Sequence, residues 1–248
     1  MGRYHGLGLP DVKTRILCIF VLAGLLSACA AEMNALVQTV RAAASGGPAA
    51  DMSLLDPRFS YLRITVGKRV AFLALGFFDS DRHGQVEVWY SGQKEAIRLQ
   101  DGRVIGAVGL ATEWRGVMLP DLPSWSVIAQ SKEPLSWVRV RDVMPGYRFN
   151  LRDGLVLRQI PPPGRSALLH IDPRELTWFE ERFQQEPVAG IMPLFQGATV
   201  NDQALPPARY AVDLRDGVEF VVYGEQCLSV DFCFTWQRWH YHKTEQKP

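Results

Sequence analysis

From residue 58 onward the apolar positions fall in short alternating runs. Leu62, Ile64 and Val66 alternate with Tyr61, Arg63 and Thr65, the period of two expected of a half-buried strand. Gly67-Lys68 breaks the run as a turn. Arg69 to Phe77 is almost continuously apolar, which predicts a strand covered on both faces. Asp79 to Gly84 reads as a loop. Val86, Val88 and Tyr90 alternate again, as do Ile97 and Leu99. Asp101-Gly102 then predicts a hairpin turn, and Val104 to Leu110 returns. Asp-Gly recurs at Asp153-Gly154, between Tyr147-Phe149-Leu151 and Leu155-Leu157. It recurs once more at Asp216-Gly217, between Tyr210-Val212-Leu214 and Val218-Phe220-Val222. The dipeptide is a strong hairpin signal because a type I′ turn needs positive φ at both central residues. Three such hairpins predict an all-β, antiparallel meander forming a barrel-like or sandwich domain, since either arrangement protects strand edges.

Two stretches bound the loops. Pro120-Asp121-Leu122-Pro123 and Pro161-Pro162-Pro163-Gly164 interrupt the strands without a change of pattern on either side, so neither reads as a domain linker. Arg174 to Gln185 stays open: Leu176, Phe179 and Phe183 fit a helix, while Leu176 and Trp178 fit one face of a strand. Phe232, Phe234 and Trp236 alternate in a last strand, and His240 to Pro248 is a polar tail.

The N-terminal pattern is different in kind. Lys13 and Arg15 precede the apolar run Ile16 to Cys29. A basic flank, an apolar stretch and a small-residue exit make a secretory signal, and the run is short of the roughly 20 residues that span a bilayer. Its end, Leu26-Ser27-Ala28-Cys29, resembles the bacterial lipobox. Leu26 suits an apolar subsite, Ser27 and Ala28 let a peptidase close on the backbone, and the Cys29 thiol can be alkylated by a diacylglyceryl group. Residues 1–28 are therefore expected to be a signal peptide, with lipidation at Cys29. Residues 29–57 read as a lipidated N-terminus, with a short helix from Met33 to Ala44 and a flexible Ser45-Gly46-Gly47-Pro48-Ala49-Ala50 spacer. Residues 58–248 read as a single all-β domain. Ala30, rather than Asp, follows the cysteine, which points to outer-membrane sorting on the periplasmic face.

Composition narrows the partners. Removing 28 of 248 residues leaves 220, and the loss of Arg3, Lys13, Arg15 and Asp11 takes the net charge from +1 to −1. Nothing in that balance favours nucleic acid. Of four cysteines, Cys18 leaves with the signal and Cys29 is lipidated. Cys227 and Cys233 remain as an even pair in an oxidising compartment, where a disulfide is the expected state. Two buried free thiols are the other reading.

The search for chemistry finds little. The sequence has no Gly-x-Ser-x-Gly elbow, Walker loop or His-Glu-x-x-His. Asp79-Ser80-Asp81 begins like a calcium loop, but the twelfth position is Tyr90 rather than glutamate. His240 and His242 lack a third metal ligand nearby. Glu180 and Glu181 are adjacent and so face apart on a strand or a helix, unlike glycosidase carboxylates. No catalytic residue, cofactor or metal is expected. All seven tryptophans lie beyond Cys29. Six read as structural; Trp125, just after the Pro120–Pro123 loop, is expected to be exposed and to stack on polysaccharide.

Tyr61-Leu62-Arg63, Ala74-Leu75-Gly76, Asp101-Gly102-Arg103-Val104 and Gly109-Leu110, with the lipobox and the closing strand pairs, resemble the YjbF family. These are the group 4 capsule polysaccharide lipoproteins of GfcB type. The likeness runs from about Arg58 to Trp239. It implies an outer-membrane lipoprotein with an all-β, barrel-like fold, encoded with exopolysaccharide or capsule genes. On that basis the chain is expected to be a non-enzymatic accessory factor in polymer export or assembly, with polysaccharide and export-machinery proteins as partners. A periplasmic carbohydrate-active enzyme or a polysaccharide-binding module is the alternative.

Overall fold

In a computed structural model of the protein, the described residues are 55–81, 83–184 and 204–239. The signal peptide, Cys29, the short helix, the spacer and the histidine-bearing tail lie outside them. The strands are β1 (Tyr61–Val66), β2 (Arg69–Asp81), β3 (Gly84–Tyr90), β4 (Ala96–Gln100), β5 (Arg103–Val108) and β6 (Glu113–Met118). They continue with β7 (Leu135–Met144), β8 (Arg148–Ile160), β9 (Thr177–Phe183), β10 (Ala208–Asp213), β11 (Phe220–Ser229) and β12 (Phe232–Trp239). One short helix, α1 (Trp125–Gln130), stands between β6 and β7. Each strand pairs with its sequence neighbour, and β1 closes on β12 with Tyr61 opposite Trp239, making a closed antiparallel barrel. Closure leaves no strand edge to template aggregation. Register shifts in six ladders, from Leu75/Phe77 to Cys227/Ser229, mark bulges, which bend and twist strands as a closed wall requires.

Two of the three Asp-Gly turns are where the pattern puts them. Asp101 and Gly102 turn β4 into β5 with φ of 47° and 76°, and Asp216 and Gly217 stand between β10 and β11 with φ of 62° and 74°. Asp153-Gly154 is a correction: it lies inside β8, paired with β7 through Arg139↔Asp153 and Val138↔Gly154. The turn comes earlier, at residues 145–147, where Gly146 and Tyr147 take the positive φ values. Asp153 points inward and binds arginines, so a pair of residues that usually turns a chain here serves the interior. The ambiguous stretch after Arg174 is strand β9. The second half of β2 is not covered on both faces, since Phe77 and Phe78 are about half exposed.

The main core fills the lumen. Leu62, Trp89, Trp114, Phe179, Tyr210 and Trp236 come from strands all round the wall and meet in one cluster. Trp236 fits because its opposite residue in the ladder is Gly224; a Cβ there would lie 2.5 Å from the indole. Outside the wall, residues 161–176 strap across β9 to β11, with Leu168 and Ile171 over Trp178, Ala211 and Val222. The strap is pegged by Gln237, whose side chain bonds both the amide and the carbonyl of Leu169 at 2.9 and 2.8 Å. The rest of that outer wall carries a row of charges directly opposite one another: Arg158, Glu180, Arg209 and Glu225. Glu180 also accepts from Arg182 at 2.5 Å. Burial alone would raise the Glu180 carboxyl, but the bonds from Arg182 and Arg158 outweigh it and hold it low. The outward face of β8 to β11 is thus charged, while the lumen packs apolar side chains around a few buried charged groups.

Candidate functional site

Three features inside the barrel combine apolar packing with polar groups. The first is an ionic cluster on the inner face of β7, β8 and β9. Arg139 donates to Asp153 at 3.0 Å and to Glu181 at 3.1 Å. Arg141 grips both Asp153 oxygens, at 2.5 and 3.2 Å. Both guanidinium groups lie over Trp114, at 4.7 and 5.1 Å from the ring. Arg139 stays firmly charged: burial opposes its charge, and Glu181 and Asp153 together outweigh that burden. Burial pushes the Glu181 carboxyl up despite Arg139 and Arg103 nearby. Glu180, its sequence neighbour, is on the outer wall, so the two carboxylates do face apart.

The second feature is the plug. The chain leaves β6 through the proline loop and enters α1, which seats Trp125 inside the barrel. Ser124 makes no side-chain cap. Instead Glu219, just before β11, accepts from the amides of Trp125 and Ser126 at 2.8 and 3.1 Å and from the Ser126 hydroxyl. A carboxylate on exposed helix amides is a favourable cap. Burial raises the Glu219 carboxyl, and these bonds more than reverse it. Trp125 packs 4.9 Å from the Phe179 ring and 5.3 Å from Tyr210, and donates to the Asp101 carbonyl at 3.2 Å. It is only 3% exposed. The exposure expected of it is therefore corrected: the helix after the proline loop folds the indole inward, where burying so large a ring is worth far more than leaving it in water.

The third feature is a polar cleft of about 340 Å³ where this plug meets the ends of β3, β4, β11 and β12. Glu87 and Arg238 pair across it at 2.6 Å, and the Trp89 indole donates to the other Glu87 oxygen at 3.0 Å. His83, at the β2–β3 turn, contacts Asp121 of the proline loop at 2.6 Å. Gln85 and Ser124 line its open side. At its inner edge stand Gln100 and Arg103, opposite one another in the β4–β5 ladder. Arg103 is buried and stacked 3.9 Å over Trp125. Its Nε and Nη2, and the Gln100 amide nitrogen, are buried without a hydrogen-bond partner. Buried donors in native proteins are normally satisfied, so unmatched ones ask for an explanation such as water or a ligand.

Four carboxylates line the cleft, and three are already held: Glu87 by Arg238 and Trp89, Asp121 by His83, and Glu219 by the helix amides. Asp101 is the fourth, its carboxyl raised by burial against the pull of Arg103. Paired-carboxylate hydrolysis needs one free acid and one free base or nucleophile about 5 to 10 Å apart, which this set does not offer. Among the described residues no group of three or more His, Cys, Asp or Glu side chains is placed to hold a metal. Cys227 and Cys233, directly opposed across β11 and β12, are joined by a disulfide. Sequence reading missed Arg103, Gln100 and Glu219. The one available signal was an arginine following an Asp-Gly turn in an otherwise apolar strand.

No protein-family model matches the chain, and no curated protein does. Among solved structures, the crystal structure of the hypothetical lipoprotein YmcC from Escherichia coli K12 matches with a TM-score of 0.51. The match covers 73% of this chain and 86% of that one, at 14% sequence identity. The likeness is one of fold.

Proposed function

We propose that this protein is a lipid-anchored accessory factor for export or surface assembly of an exopolysaccharide, and that it binds saccharide in the polar cleft without breaking bonds. The observation that carries the reading is the cleft itself. It is large enough for a small ligand, since such sites usually span about 300 to 1,000 Å³. It converges polar groups from five segments of the barrel, and its inner edge holds unmatched donors. Sugars present many hydroxyls that such groups satisfy. The commitment of Glu87, Asp121 and Glu219 to structural bonds favours binding over hydrolysis.

Cellular placement rests on other ground. The Leu26-Ser27-Ala28-Cys29 motif supports lipidation at Cys29, and the fold similarity to a protein described as a hypothetical lipoprotein is in keeping with it. The charged outer wall suits a barrel held in water by a lipid anchor, because arginine and glutamate rows are costly against hydrocarbon. Ala30 after the cysteine, in place of Asp, supports outer-membrane sorting on the periplasmic face.

The test is polymer output measured together with protein abundance. Deletion is expected to lower secreted or surface polymer. Restoring the gene as Gln85→Trp, which fills the cleft from its open side, is expected to restore the protein and not the polymer. Full output from an abundant Gln85→Trp protein would refute the cleft as the working site. The enzyme reading has one observation in its favour, the raised Asp101 carboxyl. If Asp101→Asn abolished output while the protein stayed folded and abundant, hydrolysis would replace binding.

A further inference from the structure

The barrel has a second cavity, at the end away from α1. It measures about 480 Å³ and is lined by the ends of β1, β2, β4 and β12 together with Leu110. Ile64, Leu73, Ile97 and Phe234 form its inner wall and belong to the main core, so the cavity runs into the lumen. Val66, Leu110 and Phe232 surround its opening. No residue lines both this cavity and the polar cleft. The lining is mostly apolar, with Arg69, Ser91, Gln93 and Glu95 as its polar side chains, and a mostly apolar space of this size suits an apolar ligand carrying a polar end.

The rim has the opposite character. Arg69 lines the opening and is exposed. Lys68 stands beside it in the β1–β2 turn, and Lys94 is in the β3–β4 turn between the lining residues Gln93 and Glu95. None of these three cations has an ion pair among the described residues. The acidic groups here are Glu95, which binds the Ser91 hydroxyl, and Asp231 in the β11–β12 turn. Glu113, which accepts from the Gly109 amide beside Leu110, is paired with Arg115 at 2.6 Å and adds no net charge, so Lys68, Arg69 and Lys94 against Glu95 and Asp231 leave the rim positive. An apolar pit under a positive rim is complementary to an apolar tail under a negative head. The polar lining residues Arg69, Ser91, Gln93 and Glu95 stand at the β1–β2 and β3–β4 turns, while Ile64, Leu73, Ile97 and Phe234 leave the inner wall apolar, and the closed sheet offers no edge for a peptide strand.

We propose that this mouth holds one acyl chain of an anionic amphiphile, with Arg69 receiving the carboxylate or phosphate head. A free fatty acid and a membrane phospholipid both present this chemistry, an apolar tail under an anionic head. The inference is independent of the saccharide reading, because the two sites share no residue.

The experiment uses the full lipidated chain, reconstituted in phosphatidylcholine vesicles. One arm carries palmitic acid with a diazirine near the chain end, and the other carries phosphatidylglycerol with a diazirine on one acyl chain. After irradiation and digestion, the adduct is expected on peptides containing Ile64–Leu73 or Phe232–Phe234. Its mass identifies fatty acid or phospholipid as the source. Ala71 lies opposite Ile64 and lines the cavity. Ala71→Trp is expected to remove most of this labelling. Arg69→Glu, an exposed change that spares the fold, is expected to weaken it about tenfold, the loss of one charge-assisted contact. The same variant should not affect labelling by an uncharged hexadecanol diazirine. Labelling confined to other surfaces in both arms would overturn the proposal, as would equal labelling of wild type and folded Ala71→Trp. If Ala71→Trp failed to fold, unchanged palmitate labelling of Arg69→Glu would overturn it.

Discussion

Arg139, Arg141, Asp153 and Glu181 set two guanidinium and two carboxyl groups inside a barrel otherwise packed mainly with apolar side chains. Such a cluster adds little net stability but is expensive to break, because removing one member strands the others in a poor solvent for charge. Asp153→Ala is expected to cost about 3–5 kcal/mol, read as a lower urea midpoint with an unchanged slope. Glu181 makes the pH dependence specific. Its folded carboxyl is raised by burial, so above the ordinary carboxylate range the unfolded chain has lost a proton that the folded protein keeps. Stability contributed by this group is therefore full at low pH and falls as pH rises through the raised value. Glu181→Gln should flatten that decline in denaturation curves taken across pH. Trp125→Ala belongs to the same scale. With the ring buried against Phe179 and Tyr210, the substitution is expected to cost about 3–5 kcal/mol as measured by chemical denaturation. A stable, soluble Trp125→Ala protein with only weakened ligand binding would contradict the plug.

Between β11 and β12 two features hold one hairpin. Gly224 leaves room for Trp236, and Cys227 is tied to Cys233. Gly224→Ala places a methyl group where the indole lies, in a ladder flanked on both sides. Overpacking of this kind costs about 1–3 kcal/mol, and a melting shift in that range is expected. The disulfide closes a loop of only a few residues, so by loop entropy its loss should cost about 2 kcal/mol. Peptide mapping without reductant should recover the linked pair from periplasmic protein; two alkylated free thiols would be the contrary result. Thiol reduction and Gly224→Ala act on one hairpin, so their effects are expected not to add. The helix α1 is six residues long and too short to persist alone. It depends on Glu219 from a distant connection for its cap and on the lumen for the burial of Trp125 and Ile128.

At the scale of the whole barrel, β8 to β11 carry charges outward, the lumen packs apolar side chains around a buried ionic cluster, and a polar cleft opens at one end and a mostly apolar mouth at the other. Loss of the anchor should act on placement rather than fold: Cys29→Ala is expected to leave a larger precursor without acyl mass, and to lower polymer output. Single alanine substitutions at Asp79 or Asp81 should leave output near wild type. Much of this was legible in sequence. Period-two alternation and the turns at Asp101-Gly102 and Asp216-Gly217 specify antiparallel hairpins, because pleat and positive φ are local properties of a few residues. The apolar run before Cys29 is equally local, and it lies outside the described residues. The pairing of Cys227 with Cys233 follows from a hairpin between them. What failed depends on residues far apart in the chain. Alternation in β7 does not say which face is inward: Arg139 and Arg141 face the lumen because Asp153 and Glu181 arrive from the next two strands to bind them. Asp153-Gly154 could not be told from a turn, since its role depends on those same arginines. Trp125 looked exposed because the lumen that receives it is assembled from β9 and β10. The choice of a closed barrel over a sandwich depended on β1 meeting β12, some 170 residues later, a contact whose free energy no local pattern encodes.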